Sequence, residues 1–294
     1  MREIRGILVP LITNFLENGD VDPGGMRSNI EKLNATTVSG YFVLGSNGEA
    51  AHLSDDEQYH VLRAARDAAS PEKIFITGIS RQSAHATVEF GKKAQEFGVD
   101  YFSVLTPSYF APAMTDVRLI NYYTHVADRL STPILMYNCP KFAAGITLSL
   151  EVVRELAGHP NIRGMKDTSP GPIEKYLAYQ TDAFAVVSGS INNVVKALEH
   201  GSTGGVLSMA NFLPDEVEEI CTLYFAGDTG GAKKKTDRLI ELNKRISGKY
   251  GVAGVKCACD LLGFTGGGVR LPLTMPGQEG MEAVGEALRE FKYL

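Results

Sequence analysis

Lys166 ends the apolar, strand-like stretch Ile162-Arg163-Gly164-Met165 and is followed directly by Asp167. Burial in such a stretch disfavours the charged ammonium, which leaves free amine to attack a carbonyl carbon at neutral pH. The same placement also suits a lysine paired with Asp167 or another acid at a strand end. Other lysines stand in polar or helical contexts, such as Lys92-Lys93 and Lys233-Lys234-Lys235, and the latter run reads as a solvated helix face. Polar residues also collect behind other apolar runs: Gly45-Ser46-Asn47-Gly48-Glu49, Thr106-Pro107-Ser108-Tyr109, Tyr137-Asn138-Cys139-Pro140 and Ser188-Gly189-Ser190. Glycines flanking Ser46 and Asn47 allow a sharp bend that aims successive N–H groups at one point, where a carboxylate can bind. An ordinary strand-to-helix turn has the same composition. Tyr137, closing an apolar run, either caps a backbone carbonyl or moves protons to and from Lys166.

Something must bring these residues together, and the pattern of the chain says what. Apolar or β-branched runs recur at 6–13, 41–44, 74–79, 101–106, 133–138, 162–166, 183–188 and 205–210, the last carrying Ser208. Helical patterns separate them, with start and stop signals: the capping box Ser54-Asp55-Asp56-Glu57, Gly98 and Gly201 after helix ends, and Pro214-Asp215-Glu216 in a first turn. Strands that are apolar nearly throughout belong to a parallel sheet covered by helices, and eight is the number that closes a TIM (β/α)8 barrel. A doubly wound sheet is the alternative, but no G-x-G-x-x-G follows the first strand, where Gly6 leads into Val9-Pro10-Leu11. We expect the barrel over 1–226. Helical patterns at 231–249, 252–262 and 277–291 make 227–294 a C-terminal helical extension, with Gly266-Gly267-Gly268 as a flexible connector. In a barrel of this kind the polar residues behind the strands share the carboxyl-terminal rim, where active sites are built.

Bulk properties restrict the alternatives. The 294 residues carry a net charge of −5 with both signs interspersed, which offers no basic face to nucleic acid and no polybasic segment to a membrane. Apolar runs fall far short of the roughly 20 residues needed to span a bilayer, and the N-terminus has no signal-peptide pattern, so the cytoplasm is the expected compartment. The cysteines at 139, 221, 257 and 259 form no disulfide framework or zinc ligand set, and the histidines show no metal-binding spacing. We expect no metal.

Taken together, G-S-N-G-E at 45–49, Y-N-C-P at 137–140 and G-M-K-D at 164–167 resemble the dihydrodipicolinate synthase and N-acetylneuraminate lyase family, pyruvate-handling class I aldolases, along almost the whole chain. The resemblance implies an imine between Lys166 and the keto carbon of pyruvate or another 2-oxo acid, with no further cofactor. Tyr137 would shuttle protons, with Ser46 and Tyr109 completing the relay. The N–H groups of Ser46 and Asn47 would hold the substrate carboxylate, with Gly189, Ser190, Ser208 and Lys141 lining the rest of the substrate site. It also implies a homotetramer of tight dimers in which Tyr109 reaches the neighbour's site. In the synthases Y-N-x-P is followed by Ser-Arg-Thr-Gly, whose arginine binds the second carboxylate of the aldehyde substrate; here Lys141-Phe142-Ala143-Ala144-Gly145 stands instead. A lysine cannot reproduce a bidentate arginine fork. H-P-N-I-R-G-M-K-D at 159–167, S-G-S at 188–190 and G-G-V-L-S-M-A-N at 204–211 are closer to 4-hydroxy-2-oxoglutarate aldolases, so cleavage of that acid or of a 2-keto-3-deoxy sugar acid to pyruvate and an aldehyde is expected. Two alternatives stand beside it: 4-hydroxy-tetrahydrodipicolinate synthase activity, and a barrel that binds a 2-oxo acid without turnover.

Overall fold

The computed structural model describes residues 2–294. Among them, strands and helices alternate as β1 (Gly6–Pro10), α1 (Pro23–Asn34), β2 (Gly40–Val43), α2 (Asp55–Ala68), β3 (Ile74–Gly78), α3 (Ala84–Ala94), β4 (Tyr101–Leu105) and α4 (Asp116–Asp128). The second half continues with β5 (Ile134–Asn138), α5 (Leu150–Leu156), β6 (Ile162–Asp167), α6 (Glu174–Leu177), β7 (Ala185–Ser188), α7 (Val194–Glu199), β8 (Gly204–Val206) and α8 (Pro214–Phe225). The strands pair in sequence order and the order closes on itself as a barrel. Three helices follow: α9 (Thr229–Arg245), α10 (Ser247–Leu261) and α11 (Gln278–Glu290). The expected TIM barrel with C-terminal helices is therefore the fold of this chain.

The chain divides into two compact units, one of Ile74–Val206 with the N-terminal residues as far as Arg5, the other of Gly6–Lys73 with Leu207–Leu294. In the first, register fixes which side chains meet. Leu105, Tyr137, Lys166 and Val187 stand level across β4 to β7, and level residues on neighbouring strands share a face. The next level, Asn138, Asp167 and Ser188, takes the opposite face. Asn138 there reaches the Tyr176 hydroxyl of α6, so this is the helix-covered face and Lys166 looks into the barrel.

In the second unit, β1 and β2 pair in parallel and are buried along their length. The capping box of α2 is present in full: Glu57 N–H donates to Ser54 Oγ at 3.2 Å, and Ser54 N–H to the Glu57 carboxylate at 2.8 Å. Pro214 stands in the first turn of α8, where its missing N–H costs nothing.

Three expectations need correction here. The eighth apolar run is not one strand: β8 stops at Val206 and Ser208–Asn211 winds into a 3₁₀ turn, so Ser208 follows the strand. The lysine run on α9 is not wholly solvated, since Lys235 is part-buried between Glu216 and Glu219. Nor is Gly266-Gly267-Gly268 a loose connector. Gly266 N–H donates to Asp260 at 2.7 Å, its carbonyl accepts from Asn14, and a Cβ on it would strike the Lys256 carbonyl. The helix expected at 252–262 is present, set off from a turn that begins at Ser247 by a break at Gly251, whose φ of 59° and ψ of −142° lie outside the helical region.

Candidate active site

Lys166 is 7% exposed at the end of β6. Its Nζ lies 4.3 Å from the centre of the Tyr137 ring, the level neighbour on β5. Burial lowers its pKa to about 8, with Cys139 opposing the shift, so a far larger share of amine is neutral near pH 7 than in a solvated lysine. Gly189, expected to line the substrate site, has a further role: a Cβ there would stand 2.8 Å from Lys166 Cε and would strike Thr168 Oγ1. The lysine chain occupies space that any larger residue would fill. Gly189 N–H also donates to the Asp167 carbonyl at 2.7 Å, while Ser190 N–H donates to Ser188 Oγ at 3.2 Å, fixing the turn after β7.

Asp167 does not share the lysine's face. Its Oδ1 accepts from Asn138 Nδ2 at 2.7 Å, from Ser169 N–H at 3.2 Å and from Ser169 Oγ at 2.8 Å, on the helix-covered side. Burial raises the Asp167 pKa, and those hydrogen bonds oppose the shift. Asn138 Oδ1 in turn accepts from Leu148 N–H at 2.9 Å, and Tyr176 donates to the Leu148 carbonyl at 2.7 Å. The asparagine and aspartate of Y-N-C-P and M-K-D thus anchor both ends of the segment carrying Lys141, a role not legible from the sequence. Lys141 itself is exposed, in a short turn at Pro140–Phe142, with its Nζ 5.7 Å from the Phe142 ring. Tyr109 is 79% exposed and packs edge-on against Phe110; Gln82 Oε1 holds the Ser108 and Tyr109 N–H groups at 2.8 Å each. Within this unit the structure gathers Lys166, Tyr137 and Gly189 and leaves Tyr109 and Lys141 open to solvent.

The second unit carries Ser46, Asn47 and Ser208. Asn47 Nδ2 donates to Ser208 Oγ at 2.7 Å, joining two of the expected substrate-site residues. The turn from Gly45 to Glu49 is tight: Glu49 N–H donates to the Ser46 carbonyl at 3.1 Å, and Thr13 Oγ1 to the Gly48 carbonyl at 2.7 Å. The Ser46 and Asn47 N–H groups donate to no acceptor among the described residues. Glu49, the last residue of G-S-N-G-E, is buried and ion-paired with Lys256 Nζ at 2.6 Å, both side chains being at most 1% exposed. No local motif marks that lysine in the sequence, because it lies in a helical pattern. The apolar run Gly251 to Cys259 around it is the signal that was available, since a helix apolar on every side is a buried helix.

No group of His, Cys, Asp and Glu among the described residues is arranged to hold a metal, and no helix among them is long and apolar enough to cross a membrane. The sequence profile of the Dihydrodipicolinate synthetase family matches residues 3–291. The chain is 31% identical over 293 residues to the probable mitochondrial 4-hydroxy-2-oxoglutarate aldolase of Emericella nidulans, with 98% of this chain and 94% of that one covered. It is also 31% identical over 291 residues to the 4-hydroxy-tetrahydrodipicolinate synthase of Methanospirillum hungatei, with 97% and 99% covered. Among solved structures, the pyruvate complex of the chloride-inhibited dihydrodipicolinate synthase from Acinetobacter baumannii aligns with a TM-score of 0.91 at 27% identity, over 98% of this chain and 99% of that one. A pyruvate complex of YagE, a prophage protein of Escherichia coli K12 in the same family, aligns with a TM-score of 0.92 at 25% identity, covering 99% of each. Agreement of profile, relatives and fold over nearly the full length leaves one assignment: this chain belongs to the dihydrodipicolinate synthetase family and is a lyase of the aldolase and synthase kind.

Proposed function

We propose that the protein is a class I aldolase in which Lys166 forms an imine with a 2-oxo acid, with pyruvate as product or substrate. The observation that carries this reading is a buried amine of pKa about 8 on the barrel's inner face. Its neutral form attacks the keto carbon, and loss of water leaves a protonated imine. Tyr137, against the lysine, takes the proton from the hydroxyl at C4. The C3–C4 bond then breaks, its electron pair passing into the iminium to give an enamine while the hydroxyl carbon leaves as an aldehyde. Protonation at C3 and hydrolysis by water return pyruvate and free Lys166. Condensation is the reverse sequence. Ser46 and Tyr109 complete the relay, the Ser46 and Asn47 N–H groups receive the substrate carboxylate, and Gly189, Ser190, Ser208 and Lys141 border the outer part of the substrate. No metal or organic cofactor enters. The working assembly is a homotetramer of tight dimers in the cytoplasm, and Tyr109, exposed in the single chain, acts in the neighbour's site.

The substrate is 4-hydroxy-2-oxoglutarate or a 2-keto-3-deoxy sugar acid. What favours these over the synthase substrate is Lys141-Phe142-Ala143-Ala144-Gly145 where the synthases carry their carboxylate-binding arginine. The synthase reading rests on the shared name of several relatives at about 30% identity. A panel of 2-oxo acids and aldehydes, with pyruvate release or consumption as readout and borohydride trapping of the imine, separates them. Turnover of 4-hydroxy-2-oxoglutarate with a trapped adduct on Lys166 is expected. Condensation of pyruvate with aspartate semialdehyde as the best reaction would establish the synthase instead, and trapping without turnover of any substrate would leave a binding protein.

A further inference from the structure

Glu49 and Leu44 bracket the turn that carries Ser46 and Asn47, and both have left-handed backbones, with φ of 49° and 57°. A leucine adopts that conformation at a cost and keeps it only where the surroundings over-determine it. At Glu49 the side chain is held at both carboxylate oxygens. Its Oε1 accepts from Lys256 Nζ at 2.6 Å; its Oε2 meets His52 Nδ1 at 3.0 Å and accepts from Arg270 N–H at 3.1 Å. Lys256 also donates to the Gly268 carbonyl and lies 4.5 Å from the Phe15 ring centre. The same helix supports the turn from a second side. Cys259 Sγ approaches the Asn211 carbonyl at 3.5 Å, Asn211 Nδ2 donates to the Ser208 carbonyl at 3.0 Å, and Ser208 Oγ receives Asn47. Asn47 is therefore braced by α10 through Glu49 on one flank and Ser208 on the other.

Resting on the aldolase reading above, we propose that Lys256 and Glu49 are positioning residues: their buried ion pair holds the Gly45 to Glu49 turn in the shape that presents the Ser46 and Asn47 N–H groups to the substrate carboxylate. Helix α10, outside the eight βα units, thereby becomes part of 2-oxo acid recognition. Neither residue touches the reacting carbon. Their removal loosens the anion cradle and leaves Lys166 chemically intact.

The test is the pyruvate concentration dependence of borohydride-trapped imine in the full-length protein, compared among wild type, Glu49→Gln, Lys256→Met and the double variant. Each single variant should need at least about tenfold more pyruvate for half-maximal trapping, with the plateau unchanged, because equal loss of ground-state and later binding appears in half-saturation alone. Effects in the double variant should fall well short of the product of the singles, since both singles break one interaction. The double variant removes both charges together, so it serves where a single one does not fold. Wild-type half-saturation in a folded variant would overturn the proposal while an adduct on Lys166 upheld the aldolase reading. Independently of any substrate, hydrogen–deuterium exchange over residues 45–53 should quicken in the variants, because the Glu49, Ala50, His52 and Leu53 amides are hydrogen-bonded within this turn. Unchanged exchange would overturn the proposal even if wild type trapped no pyruvate, the outcome that would overturn the aldolase reading.

Discussion

Lys166 and Lys256 are both buried, at 7% and 0% exposed, and each lies near an aromatic ring, yet their surroundings act differently on the charge. At Lys166 burial dominates and the amine falls to about pKa 8. At Lys256 burial also lowers the pKa, but the Glu49 carboxylate at 2.6 Å pulls the other way and favours the charged form. Burial therefore does not by itself make a lysine reactive. A buried lysine whose charge is compensated by a buried carboxylate, as at Lys256, is held as a structural cation. The contrast also predicts a stability asymmetry. A drop from 10.5 to about 8 means the folded state holds the charged Lys166 at a cost of roughly 3 kcal/mol at pH 7. Lys256 carries no such simple cost, because its removal would strand Glu49.

The sharpest division between the two lysines is in activity. Lys166→Ala should abolish turnover and the borohydride-trapped adduct, a loss of at least about a thousandfold, with the circular dichroism of the fold retained. An adduct on any other lysine would break the comparison. Stability should divide them in the opposite sense. Lys256→Met is expected to lower unfolding free energy by about 3–5 kcal/mol by leaving a buried carboxylate without its cation, whereas Lys166→Met should raise it by up to about 3 kcal/mol at pH 7. Denaturant unfolding of both variants checks this, and equal destabilisation would show that Lys166 too is a structural charge.

The pH dependence follows with its sign. Between pH 8 and 10.5 the unfolded chain binds more protons at Lys166 than the folded one, so its contribution to stability should rise with pH across that window and be flat below it. In Lys166→Met that rise should vanish. The rate of imine formation should climb with the same apparent pKa near 8, measurable by stopped-flow absorbance or by trapping at fixed times. The smallest effect concerns an ion pair that is less buried. Arg270 and Glu57 are paired with side chains 18% and 31% exposed, and the hydrogen bond from Arg270 holds Glu57 at a pKa of about 2. A carboxylate lowered in this way stabilises above pH 4.5, and its contribution is lost as pH falls toward 2. Solvent screening limits it, so Glu57→Gln should cost no more than about 1 kcal/mol at neutral pH. A cost matching that of Lys256→Met would erase the distinction between buried and half-exposed pairs.

The barrel was legible because its strands are apolar nearly throughout, and the helix starts because Ser54, Asp55, Glu57 and Pro214 each do a local job. Lys166 and Tyr137 were legible as strand-end residues, and their ring-to-amine contact follows from register alone. Other features were not local. Leu207 to Ala210 reads as strand, yet an apolar run that short cannot be told from a buried helical turn by periodicity. Gly266-Gly267-Gly268 has the composition of a linker, and only Asn14, Asp260 and Lys256 make it a packed segment. The roles of Asn138 and Glu49 were not legible from their motifs, because their partners Leu148, Tyr176 and Lys256 are set by the fold and not by spacing.

The Glu49 to Lys256 contact joins residues 207 positions apart. During synthesis the turn carrying Ser46 and Asn47 is made early and its cation late, so a nascent chain that already has all eight strands still lacks the group that settles the turn. Contacts of such long sequence separation form slowly and after the local ones. Competence to hold a substrate should thus be among the last properties the folding chain acquires, and a message truncated between β6 and α10 should yield a protein with Lys166 in the sequence and no settled place for a substrate acid.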